Sequence, residues 1–192
     1  IRFAGEDVAP VKTFENEERV IYMSTFSKIL APGLRIGWVV AEKKLIKKFT
    51  LMKQTVDVHS DNLTQHIIAK YMATYNIDDH IAKIKQVYRK REGIMMDAIQ
   101  EYFPENVHYS HPEGGLFIWV EVPGNINTQD LFNTCIANNV AFVPGEPFYA
   151  DKVIPGTFRL NYSNMAEDQI KVGIQRLGKA IEETMNETVA AD

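Results

Sequence analysis

An α/β fold that passes into a smaller α+β unit is predicted by three patterns in this chain. Two short, mostly apolar runs flank a turn near the beginning, a long helical section follows, and short strands then alternate with helices to the end. Val20-Ile21-Tyr22-Met23 is continuously apolar, the pattern of a strand buried on both faces of a parallel sheet. Pro32-Gly33 marks a turn, and Arg35 to Val40 reads as a second buried strand. Residues 42–54 then carry Leu45, Ile46, Phe49 and Met52 at helical intervals. Two strands cannot complete such a sheet, because their open edges would invite aggregation. The larger domain is therefore expected to be incomplete in this chain.

Ser60 is expected to cap a helix through Leu63, Ile67 and Tyr71. A second helical pattern, Ile81, Ile84, Tyr88, Met95 and Ile99, stops near Pro104. Beyond it, Leu116, Ile118, Val120 and Val122 alternate with Phe117, Trp119 and Glu121, which predicts a half-buried strand ended by Pro123-Gly124. Asn127 or Thr128 is expected to cap a helix over 129–138, with strands at 140–143 and 157–162. The last helix carries Ile170, Ile174, Leu177 and Ile181 on one face, and residues 188–192 read as a frayed end. Two domains follow: residues 1–75, the remainder of the larger domain and the start of a connecting helix, and residues 76–192, antiparallel strands covered by helices on one side.

Composition narrows the function classes. Hydrophobic residues make up 45% and charged residues 24% of the chain, ordinary values for a globular protein. A formal charge of -4 argues against a nucleic-acid surface, which needs clustered positive charge. Lys43, Lys44, Lys47 and Lys48 bracket apolar positions and read as a solvated helix face. The single cysteine, Cys135, excludes an intramolecular disulfide and fits a reducing, cytoplasmic setting. Between Phe132 and Ile136 it reads as a buried helical thiol. No apolar run approaches the roughly 20 residues of a membrane span. The histidines show no metal-ligand spacing, so no metal site is expected.

The chemistry concentrates in Thr25-Phe26-Ser27-Lys28-Ile29-Leu30-Ala31-Pro32-Gly33-Leu34-Arg35-Ile36-Gly37-Trp38. A lysine with a neutral amine is the usual protein nucleophile for an aldehyde, and hydroxyls with a guanidinium can clamp a phosphate. A phosphate-bearing aldehyde, pyridoxal 5'-phosphate, suits that set. Burial and the neighbouring charge of Arg35 are expected to favour the neutral amine of Lys28. The plainer readings are a surface lysine in a loop, turn-forming hydroxyls at Thr25 and Ser27, and a structural ion pair for Arg35. Arg159, between Phe158 and Leu160 in a predicted strand, is costly there without an anionic partner. That partner is either a substrate carboxylate or a core acid. Phe117 and Trp119 are candidates for a substrate pocket or for core packing, and Gly114-Gly115 and Pro144-Gly145 read as backbone devices.

Taken together with Lys53-Gln54-Thr55-Val56-Asp57-Val58-His59, Pro112-Glu113-Gly114-Gly115-Leu116-Phe117-Ile118-Trp119, Val143-Pro144-Gly145-Glu146-Pro147-Phe148-Tyr149 and Phe158-Arg159-Leu160-Asn161-Tyr162-Ser163, this segment resembles the fold-type-I, class I/II pyridoxal-phosphate aminotransferases. The likeness is to the aminoadipate, aromatic and kynurenine-type branch. It implies that Lys28 bonds the cofactor and shuttles the proton, that Thr25, Ser27 and Arg35 hold the cofactor phosphate, and that Arg159 binds the substrate α-carboxylate. It also implies amino-acid and 2-oxo-acid substrates and a homodimeric parent enzyme. The first half of that fold has no match here, so the chain is expected to be the C-terminal portion and inactive by itself. A different class, a winged-helix transcription regulator with an aminotransferase-like effector domain, would carry the same motifs, and only under that reading is nucleic acid a partner.

Overall fold

A computed structural model describes the backbone of residues 1–191 and the side chains of residues 1–187. The chain forms two compact units, one of Ile1 with Gly5–Lys85 and one of Arg2–Ala4 with the residues from Gln86 onward.

In the first unit, β1 (Tyr22–Thr25) pairs with β2 (Gly37–Val40). Helices α1 (Lys43–Val56) and α2 (Asn62–Thr74) follow, and α3 (Ile77–Tyr102) begins there and continues into the second unit. The pairing is antiparallel, with Ser24 opposite Trp38 and Thr25 opposite Gly37, which corrects the parallel arrangement expected from the apolar runs. Continuous apolarity signals burial and says nothing about direction. The direction is set by the connection, since residues 26–36 hold one 3-10 turn at Pro32–Leu34 and no crossover helix, and parallel neighbours need a crossover of a dozen residues or more. Nor are both faces buried: Met23 is 71% exposed, and Val39 and Val40 are also open. Gly37 is required at the close approach of the two strands, because a Cβ there would sit 2.7 Å from the Ser24 carbonyl oxygen.

The α2 cap is Asp61 rather than Ser60. Its carboxylate stands immediately before the helix and accepts from the Thr64 amide at 2.7 Å and from the Thr64 hydroxyl, a stronger acceptor than a serine hydroxyl one residue further out.

In the second unit, β3 (His108–Tyr109), β4 (Phe117–Glu121), β5 (Val143–Pro144) and β6 (Thr157–Asn161) form one antiparallel sheet in the order β3-β4-β6-β5. The alternation read from the sequence sets its faces. Ile118, Val120, Phe158 and Leu160 are buried on one side. They belong to one core with Met95 and Ile99 of α3, Leu131 and Cys135 of α4 (Thr128–Ala137), and Ile174 and Leu177 of α5 (Glu167–Ala191). Burial pushes the Cys135 thiol up to about 12, consistent with an inert core thiol. Asn127 caps α4, its side-chain oxygen accepting from the Gln129 and Asp130 amides. Thr128 is turned inward and accepts from the Gly156 amide at 2.9 Å.

The strand expected at 140–143 begins only at Val143. The preceding residues finish α4 instead: Asn139 takes a positive φ of 58° and the Val140 amide bonds the Cys135 carbonyl at 3.0 Å. Helix α5 runs to Ala191. Of the frayed end expected at 188–192, the side chains and Asp192 lie outside the described residues. Among the described residues, no helix is long and apolar enough to cross a membrane.

Candidate functional site

The lysine segment begins where β1 ends. Thr25 is the last β1 residue, and the Phe26 amide extends the ladder by one bond to the Ile36 carbonyl at 3.0 Å. The Thr25 hydroxyl lies 3.1 Å from the same carbonyl and accepts from the Ser27 amide at 3.1 Å. That local bond turns the chain and sets the Thr25 and Ser27 hydroxyls 3.0 Å apart. Arg35 closes the group from the other side of the loop. It takes φ 54°, directly after the 3-10 turn, and its Nη1 donates to the Pro32 carbonyl at 3.1 Å and reaches the Ser27 hydroxyl at 3.4 Å. Phe26 packs against Trp38 with ring centroids 4.8 Å apart, which ties the loop to β2.

The structure therefore brings Thr25, Ser27 and Arg35 together, although Arg35 follows Ser27 by eight positions. Arg35 makes no ion pair among the described residues, so its structural-ion-pair alternative is not realised. Lys28 follows Ser27 in the same loop and is exposed, with no hydrogen bond or ion pair among the described residues. The burial expected around its amine is absent from this unit. Two hydroxyls and a guanidinium at one point are the donor set that fits a phosphate monoester, and an amine without a competing partner stands beside them. Among the described residues, no group of three or more His, Cys, Asp or Glu could hold a metal ion.

Arg159 belongs to the second unit. It lies on β6 opposite Trp119 of β4 and Val143 of β5, on the sheet face turned away from the buried residues at 158 and 160. Its guanidinium carbon stands 3.8 Å from the centroid of the Phe117 ring and 4.6 Å from that of Phe148. Its Nε is buried without a hydrogen-bond partner, and it makes no ion pair among the described residues. The core acid weighed as its partner is thus not there.

Asn161, two positions along the strand, accepts from the Ser163 amide and hydroxyl at 2.7 and 2.8 Å. It builds the turn after β6. Phe117 and Trp119 are half-buried and off the core face, around Arg159, which decides against core packing for both. Trp119 meets Phe148 edge-on at 5.7 Å and 86°, and Tyr149 at 6.1 Å and 66°. Phe148 and Tyr149 were not singled out by sequence reasoning, which read the adjacent Gly145 as a backbone device. The signal was present in Pro144-Gly145-Glu146-Pro147: a tight turn set against a strand delivers whatever aromatic follows it.

A family model described as aminotransferase class I and II matches residues 2–177. The aromatic-amino-acid aminotransferase 1 of Thermococcus litoralis is 43% identical over 96% of this chain and 44% of its own length. The crystal structure of an alpha-aminoadipate aminotransferase from Thermus thermophilus, complexed with N-(5'-phosphopyridoxyl)-L-leucine, superposes with a TM-score of 0.90. It is 31% identical, covering 100% of this chain and 49% of that one. A weaker likeness, 27% identity over 91% of this chain and 36% of the relative, is to an HTH-type transcriptional regulator of Bacillus subtilis. The chain spans about half the length, or less, of the relatives it matches.

Proposed function

Because the chain belongs to the class I and II aminotransferase family, we propose that it supplies the lysine-bearing and carboxylate-binding parts of an enzyme that exchanges an α-amino group between an amino acid and a 2-oxo acid, using pyridoxal 5'-phosphate. The observation that carries this reading is the convergence of the Thr25 and Ser27 hydroxyls with Arg35 Nη1, at 3.0 and 3.4 Å, in the loop that holds Lys28. When bound, the cofactor supplies the aldehyde that receives the amino group and the ring that draws electron density from the substrate α-carbon.

Each residue then has a defined task. Thr25, Ser27 and Arg35 donate to the phosphate. Lys28 Nζ would hold the cofactor at its aldehyde and would serve as the base and acid that takes the proton from the substrate α-carbon and returns it. Arg159 orients the substrate by pairing its planar fork with the α-carboxylate, which fixes the direction of the bond to be broken. Residues 1–75 are the remainder of the cofactor-binding domain and 76–192 the small domain in this reading, within a cytoplasmic homodimer. Aromatic, aminoadipate-like and branched-chain amino acids are all candidate substrates, the first two in keeping with the names of the two aminotransferase relatives.

A second reading, an effector domain of a winged-helix transcription regulator, is supported by the weaker likeness to the Bacillus subtilis regulator. One experiment addresses both. The full reading frame is incubated with pyridoxal phosphate, reduced with borohydride, and digested for mass analysis, and a panel of amino acids is then offered with 2-oxoglutarate. The expected result is cofactor mass on Lys28 and transamination, both lost in Lys28→Ala. Label and transamination surviving in Lys28→Ala would overturn the role given to Lys28. Label on Lys28 with no transamination of any amino acid would favour the regulator.

A further inference from the structure

The surroundings of Arg159 go beyond a bare cationic contact. A buried arginine is normally stabilised by a carboxylate, and such an acid would occupy the same in-plane N–H donors that a ligand carboxylate needs. Here the charge is met by rings. The guanidinium carbon lies 3.8 Å from the Phe117 centroid and 4.6 Å from the Phe148 centroid, while Nε is left without an acceptor. A π face attracts a cation through its quadrupole and consumes none of its hydrogen-bond donors.

Resting on the reading of Arg159 as the carboxylate-binding residue, we propose that Phe117 and Phe148 are positioning residues. They hold the guanidinium plane and leave its N–H edge open to a planar carboxylate. The fold fixes both rings. Phe117 stands on β4, diagonal to Arg159 across the strand pair that sets Trp119 opposite Arg159 and Phe117 opposite Asn161.

Phe148 ends a 3-10 turn pinned to β6. The Gly145 amide donates to the Thr157 carbonyl at 2.8 Å, and the Phe148 amide to the Gly145 carbonyl at 2.9 Å. A Cβ on Gly145 would lie 2.3 Å from the Thr157 hydroxyl oxygen, so no larger residue permits this approach two positions from Arg159. Trp119, edge-on to Phe148 at 86°, supports the ring from the side. A preorganised guanidinium loses less freedom when the anion arrives, and that difference appears in affinity.

The test uses the full chain with side-chain-labelled arginine. Nuclear magnetic resonance first follows the Arg159 Nε–H signal without ligand, and pyruvate is then titrated. The parent is expected to show a ring-current displacement of this signal. Phe148→Leu, at a ring that is 49% exposed and outside the core, is expected to reduce the displacement, Phe117 remaining at 3.8 Å, and to weaken pyruvate about tenfold, within the range of a desolvated cation–π contact. Phe148→Tyr is expected to keep both, with the backbone amide spectrum of the core unchanged in either variant.

A Phe148→Leu protein with an unmoved Nε–H signal overturns the positioning role, whatever pyruvate does. A displacement reduced without change in pyruvate affinity overturns it as well. Arg159→Lys separates this outcome from failure of the underlying reading: unchanged pyruvate binding in that variant removes Arg159 from the site, and the positioning role for carboxylate binding falls with it.

Discussion

A Cβ placed on Gly178 would lie 2.2 Å from the carbonyl oxygen of Tyr102 and 2.9 Å from its carbonyl carbon. Helix α5 thus meets the end of α3 backbone to backbone. Glycine in a helix interior costs roughly 1 kcal/mol relative to alanine, so the close approach explains a residue that propensity alone would disfavour. Gly178→Ala recovers that propensity but forces the helices apart, because the obstacle is main chain and cannot rotate away. The overpacking cost, roughly 1–3 kcal/mol, should win, and the urea midpoint should fall. An unchanged or raised midpoint would show that α3 and α5 separate freely here.

The same logic reaches the lysine loop. A Cβ on Gly37 would stand 2.7 Å from the Ser24 carbonyl oxygen, and Gly37 is the register partner of Thr25. Gly37→Ala should push β2 away from β1 and stretch the bond from the Phe26 amide to the Ile36 carbonyl, now 3.0 Å. Faster hydrogen exchange at the Phe26 amide is the expected readout, with the amides of β4 and β6 unaffected. Equal protection of Phe26 in parent and variant would show that the strands tolerate the methyl group.

Sequence patterns revealed most of the second unit, though not the short β3 or the late start of β5, and the reason is visible in β4. The apolar positions in it and at its two flanks, 116, 118, 120 and 122, are all buried, because one face of an antiparallel sheet packs on helices and the other does not, and that asymmetry is written directly as alternation. The first unit was less legible. The apolar run at 20–23 signals a strand and carries no information on direction, and its predicted burial was not found. At the candidate site, the nearness of Thr25 and Ser27 follows from local turn chemistry, while the place of Arg35 beside them was implied by the family resemblance and is set by the loop that returns it to Ser27. The ring contacts of Arg159 could not be read from the sequence. Phe117 and Phe148 are separated by α4, β5 and their connecting loops, and the strand register that joins them to Arg159 is a property of the folded sheet.

Asp61 offers a pH test of capping. Its carboxyl is held below the ordinary 3.8, chiefly by the Thr64 hydroxyl and then by the Thr64 amide. A depressed folded-state pKa means that the unfolded chain binds the proton first as acid is added. The cap therefore contributes above the ordinary carboxyl value and is lost as pH falls through the lower folded value. Asp61→Ala should reduce the helicity of α2 at neutral pH, measured by circular dichroism or amide exchange at Thr64, and should narrow the parent–variant difference at strongly acidic pH. A difference that is constant from neutral to strongly acidic pH would rule out the carboxylate as its source.

Cys135 gives the opposite sign at the other end of the scale. Desolvation raises its thiol from the ordinary 9.0 to about 12, while the unfolded chain ionises near the ordinary value. Between those two pH values the unfolded state has lost the proton and the native state keeps it, so stability must decline with rising pH across that window. Cys135→Ala should flatten this part of the stability–pH curve. It should also lower stability at neutral pH through the small cavity left beside Leu131 in the core, by an amount on the order of 1 kcal/mol. A thiol reagent supplies the independent check: Cys135 in the native protein should react far more slowly than in urea at the same pH, since the thiolate is the nucleophile. Equal rates in the two conditions would mean that the thiol reaches solvent without unfolding, and the alkaline slope would then need another titrating group.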